Sequence, residues 1–200
     1  MNRFAMVLCA ASALASAPAL ADQAGHAHAA PAPTSPAAAP PAARTAQGRM
    51  VHADMIGADG KSVGMVMLQD TPAGVLVSTS LKGLPAGEKA FHFHEKGLCD
   101  SKQKFTTAGG HFAPGGTQHG LLVQGGPHGG DMPNQYVTGQ GALTTQVLNT
   151  GVTLAAGPKS LFDADGSALM IHAKPDDYKT QPSGDAGDRI ACAVVAAPRK

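Results

Sequence analysis

Apolar and polar residues alternate with a period of two along eight short stretches of the chain: 49–56, 62–68, 75–81, 89–94, 136–138, 142–148, 167–173 and 189–195. That period places successive side chains on opposite faces of an extended backbone, so each stretch is predicted to be a β-strand. The segments GADGK (57–61), DTPAG (70–74) and KGLPAG (82–87) punctuate the first four strands with turns. No long stretch carries a helical period. Short strands with tight turns early and Gly-rich connections later predict an all-β sandwich or barrel. The two connections at 95–135 and 174–188 are long for a compact domain. Something besides packing has to order them, and a metal site and a disulfide would do so.

The N-terminal residues follow other patterns. Arg3 precedes a short apolar run, and Ala19-Leu20-Ala21 precedes Asp22 as a small-residue cleavage signal, so 1–21 is predicted to be a cleaved secretory leader. The run is too short to span a bilayer. Residues 22–48 are Ala/Pro-rich and nearly free of large apolar groups, which predicts a disordered tether. His26 and His28 fall in it, read as linker residues with a metal-collecting arm as the alternative. Residues 49–200 are left as one domain with enough length for a core. Of 15 basic residues one, Arg3, lies in the leader, so the mature chain balances 14 basic against 14 acidic groups. That balance gives no case for nucleic acid or an anionic membrane as partner. Of three cysteines, Cys9 lies in the leader; Cys99 and Cys192 remain, and an even pair in an exported chain reads as one disulfide. The predicted location is periplasmic or secreted.

The chemistry concentrates in residues 91–131, which hold five of the nine histidines. His92 and His94 stand two apart on a predicted strand and share a face. The Gly-rich loop that follows offers His111, His119, His128 and Asp131, three nitrogens and a carboxylate oxygen, which suits a four-coordinate zinc ion. His172 ends an apolar strand and could join His92, His94 and one loop histidine in an all-imidazole set, the donor type favoured by Cu(II). Met65 and Met67 share one strand face. Thioethers could pass Cu(I) to a site, but packing is the expected role, and His52 is expected to be structural or solvated.

These residues resemble a known family, copper–zinc superoxide dismutase, over about 49–197. The resemblance rests on five blocks in order: FHFH (91–94), GGHF (109–112), HGGD (128–131), IHAKPDD (171–177) and GDAGDRIAC (184–192). It implies an eight-stranded antiparallel Greek-key sandwich or barrel whose two long loops form a metal site of the exported, bacterial type. By resemblance, His92, His94, His111 and His172 hold copper, and His111, His119, His128 and Asp131 hold zinc, with His111 shared. Asp176 matches a carboxylate that binds a copper histidine and a zinc histidine from behind. Cys99 and Cys192 match the family disulfide. Arg189 matches the arginine that attracts superoxide; the alternative for it is an ion pair with Asp185 or Asp188.

The implied activity is a two-step copper redox cycle. One superoxide is oxidised to oxygen and the next is reduced and protonated to hydrogen peroxide, while His111 leaves copper, takes a proton and stays on zinc. A copper carrier without turnover is the competing class, but such relatives usually lose a copper histidine, the zinc aspartate or the arginine, and all are present. Ala90 and Phe93 depart from the commonest family residues, and 178–188 is short. Cys99 lies five residues after His94 as in bacterial members, while HFAPGGTQH looks eukaryotic. The two groups assemble differently, which leaves a homodimer open beside a monomer.

Overall fold

The structure, a computed structural model, describes residues 48–199. The leader predicted at 1–21 and the tether predicted at 22–48 lie outside the described residues apart from Gly48, as do His26 and His28. Among the described residues nine strands form: β1 (Met50–Gly57), β2 (Ser62–Thr71), β3 (Gly74–Leu81), β4 (Gly87–Lys89), β5 (Phe91–His94), β6 (Gln135–Val137), β7 (Leu143–Asn149), β8 (Ser167–His172) and β9 (Arg189–Ala196). Seven make an antiparallel sheet in the order β5-β8-β9-β1-β2-β3-β7, and β4 pairs with β6. The sheet curls around one core, because the edge strands β5 and β7 both send side chains into it: Phe91 and Phe93 from one, Leu143 from the other. The all-β prediction holds, with the chain crossing between distant strands through long connections.

The alternation read from the sequence decides which residues enter the core. Ala53 and Met55 of β1, and Val66 and Leu68 of β2, point inward, while His52, Asp54 and Met65 between them point out. The first hairpin turns where Gly60 takes a left-handed conformation (φ 77°) and the Asp59 carboxylate accepts from the Lys61 N–H at 3.0 Å.

One predicted strand divides. The stretch 89–94 alternates without a break in sequence, yet Lys89 pairs in the small sheet and Phe91 in the large one. Ala90 belongs to neither strand: its carbonyl accepts from His172 N, at the end of β8, at 3.0 Å, while its N–H leaves the small sheet and donates to Lys174 O at 2.9 Å. The connection at 150–166 is also long. It sends Val152, Leu154 and Leu161 into the core, so packing orders it without a metal.

A second, smaller cluster of Phe105, Ala108, Ala168, Met170 and Cys192 lies on the outer face of β8 and β9. There the Cys99–Cys192 disulfide ties β9 to the segment after β5. Two short 3₁₀ turns, Ser101–Gln103 and Thr106–Ala108, shape that segment. The chain then lies along the free edge of β5. Phe93 N–H donates to Gly130 O, Phe112 N–H to Phe93 O and Glu95 N–H to Gly110 O. An unpaired edge is thus covered by the histidine-bearing loop.

Candidate metal centre

Strand alternation puts Phe91 and Phe93 in the core and leaves His92 and His94 on the opposite face, beneath the loop. His172, on the outer face of the neighbouring β8, completes a platform of three imidazoles. The loop contributes His111, which bridges to His94, and Asp131, which bridges to His92. Two sets of donor atoms result: His92, His94, His111 and His172, and His111, His119, His128 and Asp131, each with its donor atoms within 4.8 Å of one another. These are the seven residues predicted from sequence, and His111 belongs to both sets.

Hydrogen bonds behind each ring fix which nitrogen faces inward. His94 Nδ1 donates to Gly109 O at 3.0 Å and His172 Nδ1 donates to Gly187 O at 3.2 Å, because a carbonyl can only accept. Both rings then present bare Nε2 lone pairs, and these stand 3.4 Å apart. Two lone pairs at that distance repel unless a cation lies between them. Asp176 accepts from His92 Nε2 at 2.8 Å and from His119 Nε2 at 3.0 Å, which turns the Nδ1 atoms of both rings inward. His111 Nδ1 lies 2.9 Å from Asp131 Oδ1. Four buried nitrogens, His92 Nδ1, His111 Nε2, His119 Nδ1 and His128 Nδ1, have no hydrogen-bond partner among the described residues. Such orphans are rare and costly in a folded protein. Bound cations account for all four, so the residues fit two metal ions.

Three of the rings agree with that fit; at His119 burial acts downward, but Asp131 and Asp176 raise the ring to about 9, so an ion entering there displaces a proton. Burial pushes the His111 imidazole down to about 4 and His172 down to about 3, and burial with the neighbouring rings holds His94 well below its ordinary value. All three therefore stay neutral at pH 7, as ligands must. Burial acts to raise Asp131, but the His111, His119 and His128 rings crowded against it, at 2.9, 3.1 and 3.4 Å, and the Gly120 N–H override it and hold the carboxyl far below the usual range. Asp176 is depressed in the same way, against burial, by His119, His92 and the Tyr178 N–H.

Arg189 stands directly across the β8–β9 ladder from His172. The register shifts between Ile171 and His172, so that Ile171 pairs with Ala191 while His172 pairs with Arg189. This irregularity re-aims the side chain onto the histidine face, a common use of bulges near active sites. The guanidinium is half-buried. Its Nη1 donates to Phe105 O at 2.7 Å and its Nη2 to Gly109 O at 2.6 Å. The ion pair to Asp185 or Asp188 does not form; Asp185 lies 3.6 Å from Lys174 instead. A groove of about 530 Å³ on the other side, lined by Pro114, Leu121, Pro127, His128, Met132 and Leu148, touches neither Arg189 nor His172.

Sequence reading missed the residues that join the two loops. The Gln181 amide pairs with the His119 backbone, accepting from N–H at 2.9 Å and donating to O at 2.8 Å. The Asn134 amide pairs likewise with the backbone of Asp176, at 2.8 and 2.9 Å. Gly184, at φ 71°, leaves room for Asp176, whose Oδ1 would collide with any Cβ there. Nothing in residue type announces these roles, and the carbonyls of Gly109, Gly187 and Phe105 carry no side-chain signal at all.

Residues 62–195 match the family model described as "Copper/zinc superoxide dismutase (SODC)". The chain belongs to the copper/zinc superoxide dismutase family. It is 50% identical over 145 residues to superoxide dismutase [Cu-Zn] 2 of Aquifex aeolicus, covering 72% of this chain and 84% of that one. It is 46% identical over 140 residues to superoxide dismutase [Cu-Zn] of Caulobacter vibrioides, covering 68% and 80%. Among solved structures it is similar to a SOD-like protein from Bacillus subtilis, with TM-score 0.69 and 34% identity over 72% of this chain and 97% of the other. It is also similar to the Cu/Zn superoxide dismutase from Brucella abortus, with TM-score 0.61 and 28% identity over 74% and 99%. The protein is an oxidoreductase that acts on superoxide, and its cofactors are copper and zinc.

Proposed function

We propose that the protein dismutates superoxide through a copper redox cycle in which His111 is shared with a structural zinc. Copper would be held by His92 Nδ1, His94 Nε2, His172 Nε2 and His111 Nε2. Zinc would be held by His111 Nδ1, His119 Nδ1, His128 Nδ1 and Asp131. The observation that carries this reading is the single His111 ring facing both donor sets, with its Nε2 buried and unpaired on one side and its Nδ1 directed at Asp131 on the other.

Copper supplies one-electron exchange with superoxide when bound, and zinc supplies none. His111 would hold no proton while both ring nitrogens serve as ligands and would accept one at Nε2 once that nitrogen is free, with Nδ1 keeping the ring in place. Arg189 binds and orients the anion. Two of its five N–H groups go to loop carbonyls, which leaves the rest free for substrate beside His172. A guanidinium stays charged at any working pH, and superoxide dismutase is a known case of steering by such fixed charge. Asp176 and the carbonyls of Gly109 and Gly187 keep the other imidazoles aimed throughout.

We further propose a cleaved leader at 1–21, a tether at 22–48, a catalytic domain at 49–200 and a periplasmic or secreted location. The disulfide supports this, since such bonds persist in oxidising compartments. The mass of the exported protein should begin at Asp22, and light scattering decides between monomer and homodimer.

The central test measures metal content and superoxide consumption on one reconstituted sample. One copper and one zinc per chain with turnover are expected. The His111→Ala variant should keep some copper at His92, His94 and His172 while losing the coupling between the two ions. A wild-type chain that binds only one metal when both are supplied would end the shared-ligand reading.

A further inference from the structure

The outward face of β1 and β2 carries soft donors that the metal centre does not use. β1 buries Ala53 and Met55 and turns Met50, His52 and Asp54 out. β2 buries Val66 and Leu68 and turns Met65 and Met67 out. The antiparallel register sets His52 opposite Met67 and Asp54 opposite Met65, with Met50 two residues along β1 from His52.

The packing role expected for Met65 and Met67 does not describe this face. Met65 is 48% exposed and Met50 51%, and Met67 is only half-buried. The described residues contain six methionines. Three surround one exposed histidine on this face, while Met55, Met132 and Met170 are buried. An exposed thioether gains little from burial, so the core does not explain the grouping.

Metal chemistry does explain it. Thioether sulfur is a soft donor that selects Cu(I), and imidazole is compatible with it. Opposed residues on one face of an antiparallel pair have Cβ atoms about 4.5–5.5 Å apart, and diagonal neighbours about 7–8 Å. Methionine has three rotatable bonds and an adaptable reach. The sulfurs of Met67 and Met65 and a ring nitrogen of His52 can therefore converge on one ion, and the Asp54 carboxylate adds a negative charge beside it. The face is distinct from the copper and zinc ligands, since β9 separates β1 from the strand that carries His172.

We propose that Met65, Met67 and His52, with Met50 at the edge, form a surface site for Cu(I). It would let an exported copper protein hold a second, exchangeable copper outside its redox centre.

The test uses the full mature chain with both metals bound and the copper reduced, under anaerobic conditions. Cu(I) is supplied as its acetonitrile complex and the ¹³C-labelled methionine methyl groups are followed by NMR. The signals of Met50, Met65 and Met67 should shift and saturate at one added equivalent, and those of Met55, Met132 and Met170 should stay. The double variant Met65→Leu with Met67→Leu keeps side-chain volume. It should bind the added ion at least about tenfold more weakly, with the metal content of the centre and the dismutase rate unchanged. Unshifted methyl signals, or equal affinity in the double variant, overturn the site. So does binding that survives the double variant and disappears with His26→Ala and His28→Ala, because the ion would then sit on the N-terminal arm.

Discussion

Replacing Asp176 by Asn changes one oxygen to an NH₂ group, and the structure says which metal should suffer. The carboxylate is 3% exposed. Its Oδ1 accepts from His119 Nε2 at 3.0 Å and from the Tyr178 N–H at 2.6 Å, and its Oδ2 accepts from His92 Nε2 at 2.8 Å. Asparagine offers one acceptor and one donor group. The Tyr178 N–H can only donate, so the amide oxygen must take the Oδ1 place. The NH₂ then faces His92 Nε2. His92 either leaves two donors head to head or moves its proton to Nδ1, the nitrogen it turns toward the copper set. A hydrogen bond to a charged group is worth roughly 1.5–3 kcal/mol, which corresponds to roughly 10- to 150-fold in binding. Residues behind metal ligands typically cost about 10–100-fold when changed. Copper affinity should therefore fall by about that factor. Zinc affinity should fall less, roughly tenfold or under, since His119 keeps an acceptor of reduced charge. Competition of each ion against a chelator, with copper measured on zinc-loaded protein, reads both affinities. A variant that loses zinc more than copper, or neither, refutes the assignment of the two faces of Asp176.

Arg189→Ala should lower kcat/KM at low salt by about one to two orders of magnitude through lost attraction, with Arg189→Lys between it and wild type. Added salt should slow wild type more than Arg189→Ala, and equal salt slopes would refute steering. Cys99→Ser with Cys192→Ser opens a loop closed across 93 positions, worth on the order of 4–5 kcal/mol in the chain-entropy view. The denaturant midpoint should drop accordingly, and a midpoint unchanged under oxidising conditions would count against it. Metal-free protein should be most stable near pH 6.5. Below that, unfolded histidines take protons that buried His94, His111 (about 4) and His172 (about 3) refuse, so stability falls toward pH 4. Above it, His119 loses its contribution as pH rises through about 9, where Asp131 and Asp176 hold it against burial. A urea midpoint that climbs on acidification contradicts this.

The fold was legible where one face of a strand is buried and the other wet, as in β1 and β2, because burial imposes the period of two. It was less legible where both faces are covered. The stretch 89–94 looks like one strand since Ala90, fully buried, interrupts nothing in the pattern; the break lies in which backbone groups its N–H and carbonyl meet. Met65 misled for the opposite reason: methionine suits a core by type, and only the register shows that its neighbours are His52, Asp54 and Ser80 on a wet face.

At the site, the seven residues whose donor atoms cluster were legible because ligation demands particular atoms that few side chains possess. What orients them was not, because any residue supplies a carbonyl. The Gly109 carbonyl shows what this hides. It accepts from His94 Nδ1 and from Arg189 Nη2 at once, so one backbone atom sets both an imidazole of the histidine cluster and the half-buried guanidinium beside it. Gly109 takes φ 72° just before the loop turns to His111, and a Cβ there would press on Glu95, whose carboxylate accepts from the Gly110 N–H at 2.9 Å. The disulfide ties Cys99, at the start of this loop, to β9, and Phe105 and Ala108 pack against Cys192 there, three residues after Arg189. Any movement of the 105–111 segment therefore shifts His94, His111 and Arg189 together. On the proposed assignment, redox chemistry and anion capture would be held in one geometry by a short piece of backbone, on the same side of the site as the covalent tie.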